Sequence, residues 1–262
     1  GETTNNSFGA AVAIADLNGD SFGDLIVTAS GYSGNTGRVY IYNGSGSGIT
    51  GGVANTTKAL ATGEFSSDFF GSGITIGDVN GDGFPDIGVA AYNFSTTTGK
   101  AYLFINPGGG YALNNSSTPA STFLGENTAD TFTTSLTLGD LNGDGYADLV
   151  VGAYGINTQT GRTYIFSGSA GGIATVPAAS APFKIDGVST TNYFGRGVSV
   201  ADVNGDAYPD LLSGGPYVSG QQGSAYIFHG GPATVSTSTA ASATRIITGE
   251  AGTGQFGISF TR

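Results

Sequence analysis

The chain repeats itself with a period of 62 residues, and this period constrains its fold more than any other feature. Each repeat carries one copy of the same nine-residue acidic loop, and the copies begin at Asp16, Asp78, Asp140 and Asp202. Units of this length bury too little apolar surface alone and are stabilised by stacking on their neighbours. We therefore expect one continuous array over residues 1–262 rather than two independent domains.

The repeated loop has the composition of a calcium site. Asp, Asn, Asp and Asp occupy loop positions 1, 3, 5 and 9 of every copy, around a tight Asn-Gly-Asp turn. Alternate oxygen-bearing side chains there converge on one point, where three carboxylates would repel one another without a cation. Hard oxygen ligands in a flexible loop favour Ca2+ over Mg2+, which requires a stricter octahedron. Because Asn-Gly-Asp is also good turn chemistry, it is the four complete copies that favour metal binding.

The sequence thus predicts up to four Ca2+ ions, one per repeat, with the position-7 backbone carbonyl completing each shell. The predicted ligands are Asp16, Asn18, Asp20, Phe22, Asp24, Asp78, Asn80, Asp82, Phe84, Asp86, Asp140, Asn142, Asp144, Tyr146, Asp148, Asp202, Asn204, Asp206, Tyr208 and Asp210. The loop is not an EF-hand, because position 12 is Val or Ser in place of a bidentate Glu. Position 6 is Gly83 and Gly145 in two loops but Ser21 and Ala207 in the others. If this position has positive φ, the latter two sites should bind Ca2+ more weakly.

Four strand-like segments follow one another in each repeat. An alternating segment begins at a Phe-Gly pair or its variant, and a continuously apolar segment follows the acidic loop. The third segment alternates most clearly, with aromatic and β-branched residues at period two, at 37–42, 99–104, 161–166 and 223–228. A polar linker leads to a weaker fourth segment, near 59–60, 121–123, 183–185 and 245–247. Four short antiparallel strands in a repeat of this length describe a propeller blade.

The Phe-Gly pairs, the Asp-x-Asn-Gly-Asp-x-x-x-Asp loops and Gly214-Gly215-Pro216 resemble the FG-GAP repeat of integrin-α-type β-propellers. The resemblance covers the whole chain and implies an all-β propeller of four-stranded antiparallel blades. Its parts are four units of approximately 8–69, 70–131, 132–193 and 194–255, and one extra terminal strand at 256–262. Two departures are that Gly-Ala-Pro is never literal and that Thr133 replaces the Gly of the third Phe-Gly. Propellers of this family usually have seven blades, whereas this chain has four units.

The end of the chain repeats its beginning. Residues 249–262 align with residues 1–14 four periods later, although a closed four-blade ring needs only one copy of that first strand. Three accounts remain open: a fragment of a longer array, a compact ring in which one terminal strand covers an edge, or a strand that pairs with a second chain. We favour a fragment or an engineered segment, and we expect self-association through the duplicated strand as a further property.

The charge of the chain has a local explanation. The four loops hold 12 of the 19 acidic residues behind the net charge of −11, so bound Ca2+ would neutralise most of it. Eight basic residues spread over the chain argue against nucleic-acid binding. No apolar run reaches the ~18 residues of a membrane helix, so membrane insertion is not expected. The Cys-free composition, rich in Gly, Ser, Thr and Asn, favours an extracellular or cell-surface protein of microbial origin.

A binding face is expected opposite the calcium loops. In each blade, the loops from strand two to three and from strand four to the next blade share that face, and such loops on a rigid scaffold commonly carry binding. The resemblance also makes this the ligand-facing side. The candidate ligand residues are Tyr92, Tyr154, Tyr193, Arg196 and Tyr217. The alternative is that these aromatic rings only cap the blade cores.

Strand three carries two further periodic positions. Arg38, Lys100 and Arg162 recur there, either as a cationic ring for a carboxylate ligand or as partners of neighbouring acids. We favour ion pairing because Ser224 breaks the series. Two positions further on, a tyrosine recurs in every repeat and is expected in the core: Tyr40, Tyr102, Tyr164 and Tyr226.

Catalytic chemistry has few residues to use. His229 is the only His and there is no Cys, so a nucleophile–base triad is not expected. An acid pair of glycosidase type, for instance Glu64 with Asp68, is a minor alternative. We therefore predict a non-enzymatic, Ca2+-stabilised module for recognition or adhesion, with an unidentified protein or glycan ligand. The alternatives are a carbohydrate-binding lectin and a purely structural module of a larger surface protein or enzyme.

Overall fold

The structure is a computed structural model that describes residues 2, 4–49, 51–55, 58–232, 236–252 and 254–260. The last two residues of the predicted terminal strand, 261–262, lie outside the described residues. Four sheets, each built on four antiparallel strands and one extended by a short parallel strand, lie in this part of the chain, which confirms the predicted all-β architecture of antiparallel blades. None of the described helices is long and apolar enough to cross a membrane.

The blades follow the repeats in order. Blade one consists of β1 (Phe8–Ala15), β2 (Asp24–Ala29), β3 (Arg38–Tyr42) and β4 (Ala59–Thr62). Blade two consists of β5 (Gly73–Gly77), β6 (Asp86–Ala91), β7 (Lys100–Phe104) and β8 (Ser121–Leu124). Blade three consists of β9 (Phe132–Gly139), β10 (Asp148–Ala153), β11 (Arg162–Phe166) and β12 (Phe183–Asp186). Blade four consists of β13 (Val198–Ala201), β14 (Asp210–Gly215), β15 (Ser224–Phe228) and β17 (Arg245–Thr248), while β16 (Ser238–Thr239) pairs in parallel with β12 of blade three.

The connection between strands two and three is a single helical turn in every blade: α1 (Tyr32–Asn35), α2 (Phe94–Thr97), α3 (Ile156–Gln159) and α4 (Val218–Gln221). Its central residues have left-handed φ, for example 49° at Asn157 and 56° at Thr158. No hydrophobic period marks so short a turn, so the sequence indicates only Gly/Ala/Tyr turns here. The two further 3-10 turns, Ala178–Ser180 and Ala240–Ser242, lie in the linkers before β12 and β17.

The apolar core lies between neighbouring blades, and strand three contributes to both of its sides. Tyr102 and Phe104 pack toward blade one, while the alternate residues Ala101 and Leu103 pack toward blade three. This alternation is the period-two pattern of the sequence. The predicted core tyrosines are all buried: Tyr40, Tyr102, Tyr164 and Tyr226.

From the second repeat onward, the Phe of each Phe-Gly pair or its variant docks on the blade before it. A Cβ atom on Gly99 would lie 1.9 Å from the carbonyl oxygen of Phe132, so only Gly, at φ 81°, fits this contact. The same contact recurs at the end of the chain, where a Cβ on Gly223 would lie 2.1 Å from the Phe256 carbonyl oxygen. Residues 256–260 therefore lie where a fifth first strand would begin on blade four, but they form no strand and pair only through an isolated parallel bridge between Gly223 and Phe256.

The strand-three cations form the predicted ion pairs. Arg38 pairs with Glu2 at 2.9 Å, and Lys100 pairs with Glu64. Arg162 pairs with Glu126 at 2.9 Å and also with Asp186. Each of these glutamates lies in the segment just before the first strand of the blade that carries its cation. The fourth repeat has Val188 and Ser224 at the two corresponding positions, so both partners are replaced together.

Candidate calcium loops and ligand face

The first residue of each acidic loop organises its turn. Asp16 Oδ1 accepts hydrogen bonds from the backbone N–H groups of Gly19 (2.7 Å) and Asp20 (3.2 Å). Its Oδ2 accepts from the N–H of Ser21 at 2.7 Å. In the fourth loop, the N–H donors of Gly205 and Ala207 stabilise the charged carboxylate of Asp202 and lower its pKa.

The ninth residue of each loop is buried and joins three segments. Asp86 Oδ2 accepts from the N–H of Val79 at 2.9 Å, and Oδ1 accepts from the N–H of Asn106 at 2.8 Å. The Asn106 side-chain amide then donates to the Leu17 carbonyl oxygen of blade one at 2.7 Å. The equivalent carboxylates are Asp24, Asp148 and Asp210, and each accepts the same pair of backbone bonds. This position therefore connects the loop, the start of strand two and the linker after strand three.

The loop carboxylates repel one another. Burial raises the pKa of Asp86 to about 6 against the opposing effect of its two N–H donors, and the charges of Asp82 and Asp78 raise it further. The same causes raise the pKa of Asp148 to about 6. An oxygen-only donor set with unrelieved negative charge fits a hard divalent cation. Within the described residues no three carboxylates lie close enough to hold a metal as they stand.

In each acidic loop, the residues at positions 3 and 5 are hydrogen-bonded to each other. Asn18 Nδ2 donates to Asp20 Oδ2 at 3.1 Å, and Asn18 Oδ1 accepts from the N–H of Asp20 at 2.9 Å. The other three loops repeat both bonds. Positions 1, 5 and 9 would supply carboxylates to Ca2+ and position 3 an amide oxygen. Calcium binding by all four loops stays a prediction.

Position 6 has positive φ in every loop. The angle is 85° at Gly83 and 89° at Gly145, and it is 70° at Ser21 and 74° at Ala207. The condition stated for weaker binding by the first and fourth loops is therefore met, because residues with a Cβ resist this conformation.

The position-7 rings connect consecutive loops, a role that the loop pattern did not predict. A Cβ on Gly81 would lie 2.8 Å from the Tyr146 ring of the next blade, and one on Gly143 would lie 2.4 Å from the Tyr208 ring. Only Gly at position 4 leaves room for these rings. The loops of neighbouring blades thus pack against one another in a row.

The opposite face brings the predicted ligand residues together. The rings of Tyr154 and Tyr193 stack with centroids 5.2 Å apart, and Tyr193 lies 4.4 Å from Tyr217. The guanidinium carbon of Arg196 lies 4.9 Å from the centre of the Tyr154 ring. Tyr92 is outside this row and contacts Phe69 at 5.3 Å. All five predicted side chains are half-buried.

Tyr92, Tyr154 and Arg196 line one pocket of about 410 Å³ between blades two, three and four. The remaining lining residues carry hydroxyl groups: Ser72, Thr97, Thr131, Thr133 and Thr134. No local sequence pattern marks these five residues as part of a site. Aligning the repeats could have found Ser72 and Thr134, because they occupy the same repeat position as Arg196, two residues after the Phe. Tyr193 and Tyr217 lie outside the pocket lining.

The acid pair considered for catalysis has structural partners. Glu64 forms the ion pair with Lys100. Asp68 is buried, which raises its pKa, and its Oδ2 accepts from the N–H of Phe65 at 3.1 Å. Asp130 occupies the same place in the next repeat and accepts from the N–H of Asn127 at 2.8 Å. These carboxylates close the turns that precede the Phe-Gly pairs.

Comparison with known proteins gives a consistent result. The sequence model of the FG-GAP repeat matches residues 8–42, 70–104, 132–166 and 194–228. Over 243 residues the chain is 34% identical to the phosphatidylinositol-glycan-specific phospholipase D of Dictyostelium discoideum, covering 82% of this chain and 25% of that protein. It is 34% identical over 165 residues to integrin alpha-IIb of Mus musculus (58% and 15% covered) and 27% identical over 220 residues to integrin alpha-5 of Xenopus laevis (79% and 20% covered). The chain thus spans a quarter or less of these relatives.

Proposed function

Because the chain belongs to the FG-GAP repeat family, in which it is similar to integrin alpha chains, we propose that it is an extracellular, Ca2+-stabilised propeller module. Its role is recognition or adhesion, through a protein or glycan ligand, and it does not itself catalyse a reaction. The observation that carries this proposal is the aromatic row of Tyr154, Tyr193 and Tyr217 beside the Arg196 pocket. Half-buried aromatic rings around a polar group are typical of recognition sites.

Calcium supports this role through the scaffold. A bound ion would neutralise the three carboxylates of each loop. The buried position-9 carboxylate would then hold strand two and the linker in place through its hydrogen bonds. The contacts of position-7 rings with the next loop would couple the sites of neighbouring blades. The opposite face would then be held rigid without any metal at the ligand site.

A binding role is favoured over catalysis because the acidic side chains near this face already have structural partners. Glu64 and Glu126 are engaged in ion pairs, and Asp68 and Asp130 cap turns. The phospholipase D relative is an enzyme by its name, and this chain spans 25% of it. We propose that the shared part is a module of that protein that does not carry its chemistry.

The recognition role is tested with labelled protein on printed arrays of surface glycans and purified matrix proteins, in millimolar Ca2+. We expect selective binding that falls about tenfold or more in Tyr92→Ala and Tyr154→Ala, because aromatic anchors contribute most of the energy of such sites. Val203→Ala is the matched control, since Val203 is an exposed apolar residue on the calcium-loop face. Absence of binding to every probe would favour the purely structural alternative.

We further propose that one copy of the chain docks on another, blade four against blade one. In blades one to three, the fourth strand contacts the linker that joins strands three and four of the next blade. The Asn115 N–H donates to the Ala59 carbonyl oxygen at 2.8 Å, and the Thr122 N–H donates to Thr175 Oγ1 at 3.1 Å. In the third case, β16 pairs with β12. Among the described residues no such linker contacts β17, the fourth strand of blade four, and its Ile246 and Ile247 are each 50% exposed. The blade-one linker, between β3 and β4, exposes Ile49 (39%) and Val53 (76%).

These two surfaces are repeat-equivalent to those that pair inside the chain. Docking requires residues 256–260 to leave the place on blade four that the first strand of the second copy would take. Light scattering should show a mass that rises with protein concentration, and the double variant Ile246→Lys/Ile247→Lys should stay monomeric. The control is Val188→Lys, at an exposed apolar residue in the connection between β12 and β13. This variant should associate like the parent. A monomer at every concentration would contradict this proposal.

A further inference from the structure

The pocket between blades two, three and four differs in charge from the rest of this acidic chain. Its lining contains no carboxylate, and it contains one cation, Arg196. Within the described part of the chain Arg38, Lys100 and Arg162 are neutralised by ion pairs, whereas Arg196 takes part in none. Its guanidinium carbon lies over the Tyr154 ring, 4.9 Å from the ring centre, which holds this cation at the wall of the pocket. An unpaired, half-buried guanidinium is a ready partner for a carboxylate.

The rest of the lining fits the body of a sugar. Tyr92 supplies a flat apolar surface, Tyr154 carries the Arg196 guanidinium over its ring, and the remaining residues are five serines or threonines. A pocket of about 410 Å³ falls within the range of about 300–1,000 Å³ usual for small ligands. Four of the five hydroxyl groups already donate to backbone carbonyl oxygens, so toward a ligand they act as acceptors. A sugar ring carries hydroxyl donors on every side and fits such a surface.

Thr133 is strained at the wall of this pocket. Its φ is 72°, in a position where the other repeats have Gly with φ between 80° and 88°. Its side chain is 2% exposed, and its buried hydroxyl has no hydrogen-bond partner. A β-branched residue at positive φ is an outlier that persists where it serves a purpose. The replacement of Gly occurs only in the repeat that lies at the centre of the pocket, at an irregular start of β9 that β1 shares with Gly9 in this position.

We propose that this pocket binds an acidic sugar, with the uronate carboxylate on Arg196, which Tyr154 holds in place, and the sugar ring against Tyr92. The inference rests on the proposed recognition function and names its ligand class. Arg196 provides the charge selection, and the hydroxyl-bearing residues provide the surface that accepts the sugar hydroxyl groups.

The test is calorimetric titration of the Ca2+-loaded chain with digalacturonic acid and with its dimethyl ester, which has the same rings without the charges. We expect the acid to bind at least about tenfold more tightly than the ester, because one charge-assisted, bidentate contact commonly contributes this much. Arg196→Gln should remove the difference between acid and ester. Lys184→Gln, which removes a cation from β12 outside the pocket, should retain it.

Three results would overturn the inference: equal binding of acid and ester, an acid preference that survives in Arg196→Gln, or tighter binding of an acidic dipeptide than of digalacturonate. Far-ultraviolet circular dichroism and the Ca2+ response of Arg196→Gln confirm that the variant is folded. If the arrays show binding that depends on Tyr154 but no acid is preferred, this inference fails alone. If no probe binds at all, the proposed function fails as well.

Discussion

Removing calcium should destabilise this chain by several kcal/mol. Mass action gives roughly 2.7 kcal/mol for each independent site at a hundredfold excess of Ca2+ over Kd. For a chain of this size even one site then corresponds to a shift of about 5–10 °C in Tm. The measurement is thermal unfolding in millimolar Ca2+ and again after EGTA, with Mg2+ as the control ion. An identical Tm under both conditions would contradict the calcium interpretation of all four loops.

The four loops should not contribute equally. Ser21 and Ala207 have the positive φ that favours Gly, at 70° and 74°. Ser21→Gly and Ala207→Gly should therefore stabilise the chain by about 1 kcal/mol each and tighten the first and fourth sites. Site-resolved Ca2+ titration checks the order of affinities. Equal affinities in all four loops would show that this position does not limit binding.

The pH dependence of stability should change sign with calcium. In EGTA, the folded chain holds Asp86 and Asp148 with pKa values of about 6, above their values in the unfolded chain. The folded state therefore binds more protons, so these two groups make stability fall as pH rises from about 4 to 6. With Ca2+ the carboxylates must be ionised, and stability should instead rise over that range. Asp86→Asn/Asp148→Asn should flatten the dependence in EGTA, which separates these two groups from the other acids.

A second large effect is expected at the buried ninth position of a loop. Asp148 accepts from the N–H of Leu141 at 3.1 Å and from the N–H of Gly168 at 3.0 Å, both buried. Asp148→Ala leaves both donors unpaired, at a cost of about 1–3 kcal/mol for each. In EGTA the loss of a buried, repelled carboxylate partly offsets this cost. In Ca2+ the variant also loses the contribution of one site, roughly 2.7 kcal/mol, so we expect at least about 5 kcal/mol of destabilisation in Ca2+ and less in its absence.

The matched control is Asp144→Ala, at the exposed fifth position of the same loop. Its carboxylate accepts from the exposed N–H of Tyr146 at 3.0 Å, so its loss in EGTA should cost about 0.5 kcal/mol or less. In Ca2+ the same variant should lose the contribution of one site. Denaturant unfolding of both variants in Ca2+ and in EGTA measures the four values. If Asp144→Ala costs as much in EGTA as in Ca2+, Asp144 is not a metal ligand.

The sequence alone determined the blades, because their signals are local and periodic. Period-two alternation placed strand three and its buried tyrosines, and the 62-residue period placed each acidic loop between two strands. The break at Ser224 correctly favoured ion pairs for Arg38, Lys100 and Arg162. These conclusions need only the side-chain directions of a strand and the repeat of one unit.

Only the tertiary structure decided which side chains of neighbouring blades contact one another. Neither the position-7 ring of Tyr146 against Gly81 nor the hydroxyl-lined pocket beside Arg196 has a local pattern. Thr133 was visible as a departure from Phe-Gly, but its strained φ and buried, unpartnered hydroxyl were not. These contacts join side chains from different repeats, and the rotation of one blade against the next sets their distances. That rotation follows from how whole sheets pack, which no short stretch of sequence encodes.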